Sequence, residues 1–452
     1  MISQQDIMTP VIKRLQNTLL GQSLGLDDQD PLNWTFSENI KSLGPDFYRK
    51  IVSSHLVLNL EYSLLGQQIR KNLLSPEFDN IKQITEQLTS AILLAELLEH
   101  VYQHYLIVPR EVVRLRAQQK LYRELCQEIT GKQPKAVVDE SKASVGASAS
   151  QQVRGTTLNV NLYRLIFIRT KRALDLIAVL DTSADWYRSV IGTLDKCTDP
   201  FLAHLAWFFW APRLVTNTTL LLKHLIPGPW MHSQEERDLG AAVRFTAQMQ
   251  RRWFEIGNDL VWVTAGLITC FMLTGALAPI GMYLGIGCFA FDVVMAATRA
   301  YIELNRLYDL RRQYQAMLAD KSVEKHEVEE HLKMIDKQIS FEALRFGSHV
   351  TTTSIILLSM CCALPLIAVN PIIPVVGAIF LVLVCITNFV LVPVIEHYRP
   401  IEHYRPEDDA TVSASGLAKQ GFFAKRTEKL IERKLDDALN LDDDLPATGC
   451  CV

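Results

Sequence analysis

The chain has 452 residues, 49% of them hydrophobic, and a formal net charge of -3. A charge this close to neutral gives no reason to expect a nucleic-acid partner. Nine cysteines are scattered with no CxxC spacing, so we expect neither a disulfide framework nor a zinc site, and no other cofactor is indicated. Residues 1–10 are polar and lack the apolar core of a signal peptide, so we expect membrane entry through internal segments.

Residues 1–131 are predicted to form a cytoplasmic helical bundle. Between Ile81 and Tyr102, apolar residues recur at steps of three and four, which is the spacing of a helix with one buried face. Pro109 stands where a further helix would begin, and Gly131 stands where that helix would end. Residues 132–155 are rich in serine, have no aromatic residue and are predicted to be a flexible linker.

Residues 156–257 are predicted to be a membrane-proximal helical region. It contains the apolar run 201–212, in which residues 207–210 are four consecutive aromatic residues. Two interpretations remain open: a core helix of a second bundle, or a helix lying at the level of the lipid headgroups, where aromatic residues concentrate. Trp253 and Trp262 flank the entry to the next apolar stretch and are interpreted as interface anchors.

Two long stretches predict membrane-spanning helical hairpins. The first, residues 258–299, has no charged residue from 260 to 291. Near its middle, glycine and proline residues at 275–281 predict a turn. The second, residues 350–395, is uncharged and breaks at Asn370-Pro371. A spanning helix needs about 20 mainly apolar residues. A turn that stopped inside lipid would leave backbone polar groups without partners. We therefore expect both hairpins to cross the bilayer.

Residues 300–349, called the stalk below, are rich in charge and are predicted to form two antiparallel helices of a coiled coil. A turn at 320–322 separates them, and the apolar seam of the second helix is predicted at Val328, Leu332, Ile335, Ile339 and Leu344. Basic residues flank the outer ends of both hairpins, whereas the two turns carry neither Lys nor Arg. The positive-inside rule therefore predicts that both termini and the stalk are cytoplasmic.

Together these segments predict an all-α fold of helical bundles, two transmembrane helical hairpins and an antiparallel coiled-coil stalk. Residues 396–452 form a tail with a predicted amphipathic helix at 418–441. The chain ends in Cys450 and Cys451, and terminal paired cysteines can carry lipid. The residue that a prenylation motif would require as cysteine is Gly449, and the segment before it is acidic, so an unmodified tail is favoured over lipidation.

Asp292 is the charged residue that interrupts the first hairpin, and it is the candidate intramembrane polar site. It predicts either an ion or proton site, or a carboxylate that bonds to a neighbouring helix. Gly281 and Gly285 have the small-xxx-small spacing that lets two helices approach closely, so they are candidate helix-packing residues.

Two histidine pairs were weighed as metal sites. His100 and His104 share a helix face, while His326 and His331 do not, and neither pair has the HExxH pattern. Solvated helix faces are the favoured interpretation of both, and no metal site is predicted. The sequence also lacks a glycine-rich phosphate loop and a nucleophile motif, so we expect no catalytic site and no enzyme.

Four motifs carry a resemblance to known proteins: residues 212–217 (PRLVTN), 223–231 (KHLIPGPWM), 252–262 (RWFEIGNDLVW) and 299–304 (RAYIEL). In these motifs the chain resembles poorly characterised coiled-coil membrane proteins of Legionella-type intracellular bacteria, some of which are candidate type IV secretion effectors. The resemblance covers about residues 199–398. It implies a helix-rich membrane protein with a host membrane as a possible destination, and it transfers no catalytic residue.

These features favour a multi-pass membrane scaffold or tether that acts through protein–protein contacts of its bundle or stalk, and the resemblance adds a translocated effector acting on host membranes as one form of it. Its partners would be the lipid bilayer and unidentified proteins, and it could form oligomers. The membrane would be the bacterial inner membrane or a host membrane. The alternative is a small transporter or channel subunit built around Asp292. That alternative is less favoured because transporters place several polar groups at the membrane midplane.

Overall fold

The computed structural model describes residues 9–20, 32, 44–74, 80–132, 163–164, 166–171, 173–177, 185–231, 234–273, 275–319, 325–364, 367–370 and 372–400. Within these ranges nearly every residue is helical and none lies in a strand, which confirms the all-α prediction. Four predicted features lie wholly or almost wholly outside them: the linker, the turn at 320–322, the amphipathic helix at 418–441, and the Cys450–Cys451 pair.

In chain order the helices are α1 (Pro10–Arg14), α2 (Gly44–Ser53), α3 (His55–Leu74), α4 (Ile81–His104), α5 (Pro109–Thr130), α6 (Asp185–Leu225), α7 (Gln234–Asp238), α8 (Ala241–Leu267), α9 (Ala278–Met317), α10 (Lys325–Cys361) and α11 (Ile372–His397). Both α1 and α8 continue directly into π-helical turns, at Leu15–Leu20 and Ile268–Met272. As predicted, α5 begins at Pro109 and ends at Gly131, whose φ of 70° is the left-handed conformation that glycine accepts without strain.

Helices α1 to α5 share one hydrophobic core and are called the head below. Tyr48, Leu65, Leu98 and Tyr122 lie at its centre with exposed fractions of 0–1%. Leu239 and Ala247, at the beginning of the α7–α8 region, belong to the same core. The sequence assigned Leu239 and Ala247 to the membrane-proximal region, but both pack in the core of the head. The α7–α8 region therefore contacts the head although it is distant from it in the chain.

The stalk is formed by the second half of α9 and the first half of α10. Leu310, Tyr314, Val328 and Ile335 pack in its seam, and Leu64 of α3 completes this cluster. The prediction that Leu344 belongs to the apolar seam is wrong, because its side chain is 55% exposed. Helix α9 runs without a break for 40 residues and α10 for 37, so each carries an apolar segment directly into the charged stalk.

Among the described residues, two helices are long and apolar enough to cross a membrane: Pro279–Met317 and Ile372–Ile395. Only 17% and 28% of their most apolar 18-residue stretches are buried within the chain. A core helix of a soluble protein buries most of its apolar surface, whereas these helices present large apolar side chains outward, including Tyr283, Val294, Phe380, Phe389 and Val390. Such large exposed apolar surface marks a membrane or a protein interaction site.

The aromatic run 201–212 is part of α6, which lies along α8. Trp210 packs with Val263 in a small shared cluster, so one face of the run is core. On other parts of α6, Phe208, Val215 and Leu222 are 57%, 63% and 45% exposed. The run therefore buries Trp210 against α8, as the core interpretation predicts, and leaves Phe208 exposed.

Candidate functional site

A buried ion pair of the head is hydrogen-bonded to the stalk. The carboxylate of Glu61 on α3 is fully buried and accepts hydrogen bonds from the guanidinium of Arg14 on α1. The same carboxylate accepts a hydrogen bond from the hydroxyl of Tyr314 on α9 at 2.9 Å. Arg14 also donates to Oε1 of Gln313 at 2.7 Å. Three helices that are distant in sequence therefore meet around a single buried carboxylate.

The protonation of this network follows from its surroundings. Burial lowers the pKa of Arg14, but the attraction and hydrogen bond of Glu61 outweigh burial, and the pKa lies above its usual value. Burial, followed by the charge of Glu61, raises the pKa of Tyr314 well above its usual value. Tyr314 therefore keeps its proton and remains a donor to Glu61, and Arg14 remains a cation.

A second row of polar contacts extends this interface towards the tip of the stalk. Glu327 of α10 accepts hydrogen bonds from Nε2 of Gln83 at 2.6 Å and from Nε2 of Gln87 at 3.3 Å. Gln87 in turn accepts from Nδ2 of Asn72 at 2.9 Å. At the edge of the same interface, Nζ of Lys71 lies 2.6 Å from Oε1 of Glu330. The side chains of α3 and α4 therefore pair with those of α10 in a fixed order.

His331 corrects the sequence analysis. Its side chain is fully buried, its ring lies 4.4 Å from that of Tyr314 between centroids, and its Nδ1 lies 3.3 Å from Oε1 of Gln68. Burial, and then the charge of Arg14, lowers its pKa to about 3. The prediction of a solvated face was wrong because the head covers this side of the stalk, which the periodicity of α10 alone could not indicate. The exposed His326 does lie on a solvated face.

The other histidine pair also lies in an aromatic cluster. The rings of His100 and His104 are 4.6 Å apart between centroids, and His100 lies 5.2 Å from Tyr48 and 5.9 Å from Tyr105. Within the described part of the chain, no group of three or more His, Cys, Asp or Glu side chains could hold a metal ion.

Asp292 bridges the two arms of the first apolar hairpin. Its side chain is 5% exposed, and Nε1 of Trp262 on α8 donates a hydrogen bond to its Oδ1 at 3.1 Å. The Trp262 ring also makes an edge contact with Phe289, with centroids 5.3 Å apart. Oδ2 of Asp292 has no hydrogen-bond partner among the described residues. Trp262 therefore binds the acidic side chain that interrupts the apolar stretch of this hairpin.

The two candidate packing glycines lie in different surroundings. A Cβ atom on Gly281 would lie 3.4 Å from Cγ2 of Thr269 on the opposite arm, whereas a Cβ on Gly285 would meet nothing within 4 Å. Tighter approaches occur at glycines that the sequence analysis did not select. A Cβ on Gly266 would lie 2.9 Å from Cβ of Trp207, and one on Gly377 would lie 2.8 Å from the carbonyl oxygen of Ser359.

A second buried charge pair joins α6 to α8, and the sequence analysis missed it. Asp259 is fully buried, and its Oδ1 lies 2.9 Å from Nε of Arg213. Nδ2 of Asn217 donates to Oδ2 of Asp259 at 3.2 Å, and the Arg213 guanidinium lies 5.0 Å from the ring centroid of Trp210. Arg213, Asn217 and Asp259 fall within the motifs 212–217 and 252–262, but nothing local in either motif identifies the other as its partner.

The structure therefore presents a polar interface between head and stalk, and a sparsely polar bundle of apolar helices beneath it. Neither arrangement, as described, brings together a nucleophile and a base. Comparisons of the chain with protein-family models, with curated proteins and with solved structures find no match.

Proposed function

We propose that the chain is a multi-pass membrane scaffold that presents a rigidly mounted helical head to protein partners. The observation that carries this proposal is the continuity of α9 and α10, which run as single helices from the apolar segments into the stalk. The Arg14–Glu61–Tyr314 network fixes the head to those same helices. In this proposal the apolar segments hold α9 and α10 in the membrane, and the same two helices hold the head at a fixed position above it.

In this proposal the two apolar segments cross the bilayer as hairpins, the stalk is an antiparallel coiled coil, and both termini are cytoplasmic. The exposure of apolar side chains on α9 and α11 supports burial in lipid, because water would otherwise contact a large apolar surface. The basic residues at the outer ends support the cytoplasmic side. Protease added to the cytoplasmic face should cut the chain within residues 132–154, and cleavage from the opposite face alone would contradict this topology.

Partner binding is assigned to the outer surface of the head rather than to the seam of the stalk. The seam is filled by α3 through Leu64, and the adjoining polar row is occupied by α4. A helix-in-groove contact would use an amphipathic partner helix. The resemblance to candidate secretion effectors is the basis for proposing a host membrane as one destination, with the bacterial inner membrane as the other.

The experiment that tests the scaffold is proximity labelling with a ligase fused to the N-terminus of the full-length chain. A matched fusion of Glu61→Ala, which should detach the head from the stalk, provides the comparison. We expect a defined set of labelled proteins that changes with this variant. Identical labelling by both fusions, or labelling equal to that of an unrelated membrane anchor, would contradict the proposal.

A transporter or channel subunit is the second candidate, and the buried, unpartnered Oδ2 of Asp292 is the observation that favours it. An intramembrane carboxylate is often an ion or proton site. Flux of protons and of monovalent cations into liposomes containing the purified chain would test this function. The scaffold proposal predicts the same background flux for the native chain and for Asp292→Asn. Flux that is lost in Asp292→Asn would establish transport instead.

A further inference from the structure

Helix α6 lies antiparallel to α8 along the first arm of the first hairpin. Three contacts pair α6 with α8 and its π-helical turn, in this order: Arg213 with Asp259, Trp207 with Gly266, and His204 with Phe271. Residue numbers fall along α6 as they rise along the arm, so the two helices stay side by side over this distance. The depth of α6 in a membrane is therefore set by the depth of the arm.

The part of α6 beside the arm is long enough to cross a bilayer. From Asn217 to Asp199 the helix rises about 27 Å, and the hydrocarbon core of a bilayer is about 30 Å thick. His204 is already level with Phe271, next to the end of the π-helical turn at Met272. Helix α6 continues from Asp199 back to Asp185, roughly 20 Å further. Its N-terminal part therefore extends beyond the turn of the first hairpin.

The charges of α6 are compatible with this depth. No Asp, Glu, Lys or Arg occurs in the sequence between Asp199 and Arg213. Arg213 itself is buried and its guanidinium pairs with Asp259, so its charge faces α8. Charges within membranes typically face the interior of the helix bundle and pair with one another. A hydropathy average over α6 alone counts Arg213 in full, and it therefore underestimates how apolar the outer surface of the helix is.

The outer face of α6 continues the apolar surface of the first hairpin. Phe208 is exposed on α6, and Leu267 and Phe271 are exposed on the arm beside it. These side chains lie within the same range of depth, because the contacts of Trp207 and His204 fix the register of the two helices. Lipid that covers the arm would therefore cover the outer face of α6 as well.

A spanning α6 requires a second crossing earlier in the chain, because the head is fixed to the stalk by the buried network described above. The partly described segment 163–177 is placed to provide it. The guanidinium of Arg169 donates a hydrogen bond to Sγ of Cys385, near the midpoint of α11, and both side chains are buried. In the same segment, the carbonyl oxygen of Leu174 accepts a hydrogen bond from the hydroxyl of Tyr187 at 2.9 Å. The segment therefore connects the middle of the second hairpin to the N-terminal part of α6.

We propose that α6 is a further membrane-spanning helix, with its outer face against lipid acyl chains and residues 185–198 on the face opposite to the stalk. The proposal rests on the insertion of the first hairpin proposed above, because α6 takes its depth from α8. It gives the scaffold a surface on the second side of the membrane, where Trp186 and Val190 are exposed. The chain would then present side chains to both faces of the membrane.

The test is the accessibility of Cys197, an exposed free cysteine of α6. The full-length chain, with Cys450 and Cys451 replaced by Ser, is produced in a bacterial inner membrane. A membrane-impermeant maleimide is added to spheroplasts or to inverted vesicles, which expose opposite faces. The position of the stalk is marked by Glu329→Cys, an exposed stalk position, in a chain that also carries Cys197→Ser. We expect Cys197 and Glu329→Cys to react from opposite faces, and Cys197→Ser alone to lose the signal of α6.

Reaction of both cysteines from the same face would overturn the proposal. So would a Cys197 that reacts from neither face and reacts only after denaturation. Phe208→Cys, combined with Cys197→Ser, provides a second measurement. Although Phe208 is exposed on the protein, a cysteine there should react from neither face, because a thiol in lipid does not form the reactive thiolate. Reaction from either face would place α6 in water. The measurement on Cys197 changes only tail residues, so it decides the question even if Phe208→Cys misfolds.

Failure of this proposal can be distinguished from failure of the scaffold proposal. If the hairpins insert and α6 does not cross, Cys197 and Glu329→Cys react from the same face, while the chain resists extraction by alkaline carbonate. If the hairpins do not insert, alkaline carbonate releases the chain from the membrane. Only the second result would contradict the membrane scaffold itself.

Discussion

At the head–stalk interface, α1, α3 and α9 meet around the buried Arg14–Glu61 ion pair, whereas α10 and α11 meet around Gly377. The first contact fixes its geometry with charges and hydrogen bonds, and the second with the close approach of two backbones. Among apolar helices in lipid, burial gives little driving force, so small residues and tight packing must supply the contact energy. In water, apolar burial supplies the energy, and buried polar groups can be used to select one arrangement over others.

The largest expected effect comes from removing the carboxylate at the head–stalk interface. Glu61→Ala leaves the Arg14 guanidinium buried without its anion, which costs about 3–5 kcal/mol in comparable buried pairs. We expect the head to separate from the stalk while the apolar helices stay assembled. Hydrogen exchange of the α1 and α3 amides, measured on the full-length chain in detergent, should accelerate strongly.

The control for this variant is Glu329→Ala, which removes an exposed carboxylate from the stalk. Its exchange should match that of the native chain. If Glu61→Ala also left exchange in α1 and α3 unchanged, the ion pair would not be what fixes the head to the stalk. The contrast between a polar head–stalk interface and closely packed apolar helices would then be wrong.

The next effect tests the apolar helices. Gly377→Leu would force a side chain into a position where even a Cβ would lie 2.8 Å from the Ser359 carbonyl oxygen and from Cβ of Cys362. Overpacking of this kind costs about 1–3 kcal/mol. We expect a lower thermal unfolding midpoint in detergent. Gly285→Leu is the matched control, since a Cβ there meets nothing within 4 Å, and its midpoint should stay near the native value. Equal midpoints for both variants would contradict close packing at Gly377.

Acid should weaken the head–stalk interface and not the apolar helices. Burial lowers the pKa of His331 from 6.5 to about 3, so the native chain keeps this ring neutral while the unfolded chain binds a proton below about pH 6.5. Stability is complete above about pH 6.5 and falls as the pH decreases towards 3. The loss at about pH 5 is about 2 kcal/mol, because each pH unit is worth about 1.36 kcal/mol.

Exchange of the α3 amides, compared between about pH 7 and about pH 5 after correction for intrinsic rates, measures this loss. His331→Gln should reduce the acid dependence, although it also changes the contact with Tyr314. Burial also lowers the pKa of His55, to about 4, so this second buried histidine should contribute the part that persists. Replacing the exposed His326 with Gln should leave the acid dependence intact. Acid dependence that persists in His331→Gln at the native level would assign it to another group.

Local patterns were enough to predict the all-α class and the bounds of α5, and they failed where contacts join distant parts of the chain. The end of α5 at Gly131 could be predicted because glycine alone adopts the left-handed conformation without strain. Asp292 could be identified as a candidate polar site because a charge within an apolar stretch is visible in the local sequence. The partners of Glu61 lie 47 and 253 residues away in Arg14 and Tyr314, and no periodicity of α3 indicates either. The burial of His331 was mispredicted for the same reason.

The same limit applies to the candidate glycines. A spacing of four identified Gly281 and Gly285, yet helices approach more closely at Gly266, which meets a tryptophan of α6, and at Gly377, which meets α10. Whether a glycine is needed depends on the helix that crosses it, and spacing within its own helix does not supply that information. Crossing partners are set by tertiary packing, which the sequence of one chain leaves undetermined.

The smallest expected effect is at the exposed edge of the head–stalk interface, where burial of the ion pair is the main difference from Glu61. Lys71 of α3 pairs with Glu330 of α10 across this interface, but the side chain of Lys71 is 51% exposed. Exposed ion pairs contribute about 0–1 kcal/mol and are screened by salt. Lys71→Ala should therefore change α3 exchange little, and the residual change should vanish at high ionic strength. An effect as large as that of Glu61→Ala would mean that the total charge of the interface, rather than burial of one pair, holds the head on the stalk.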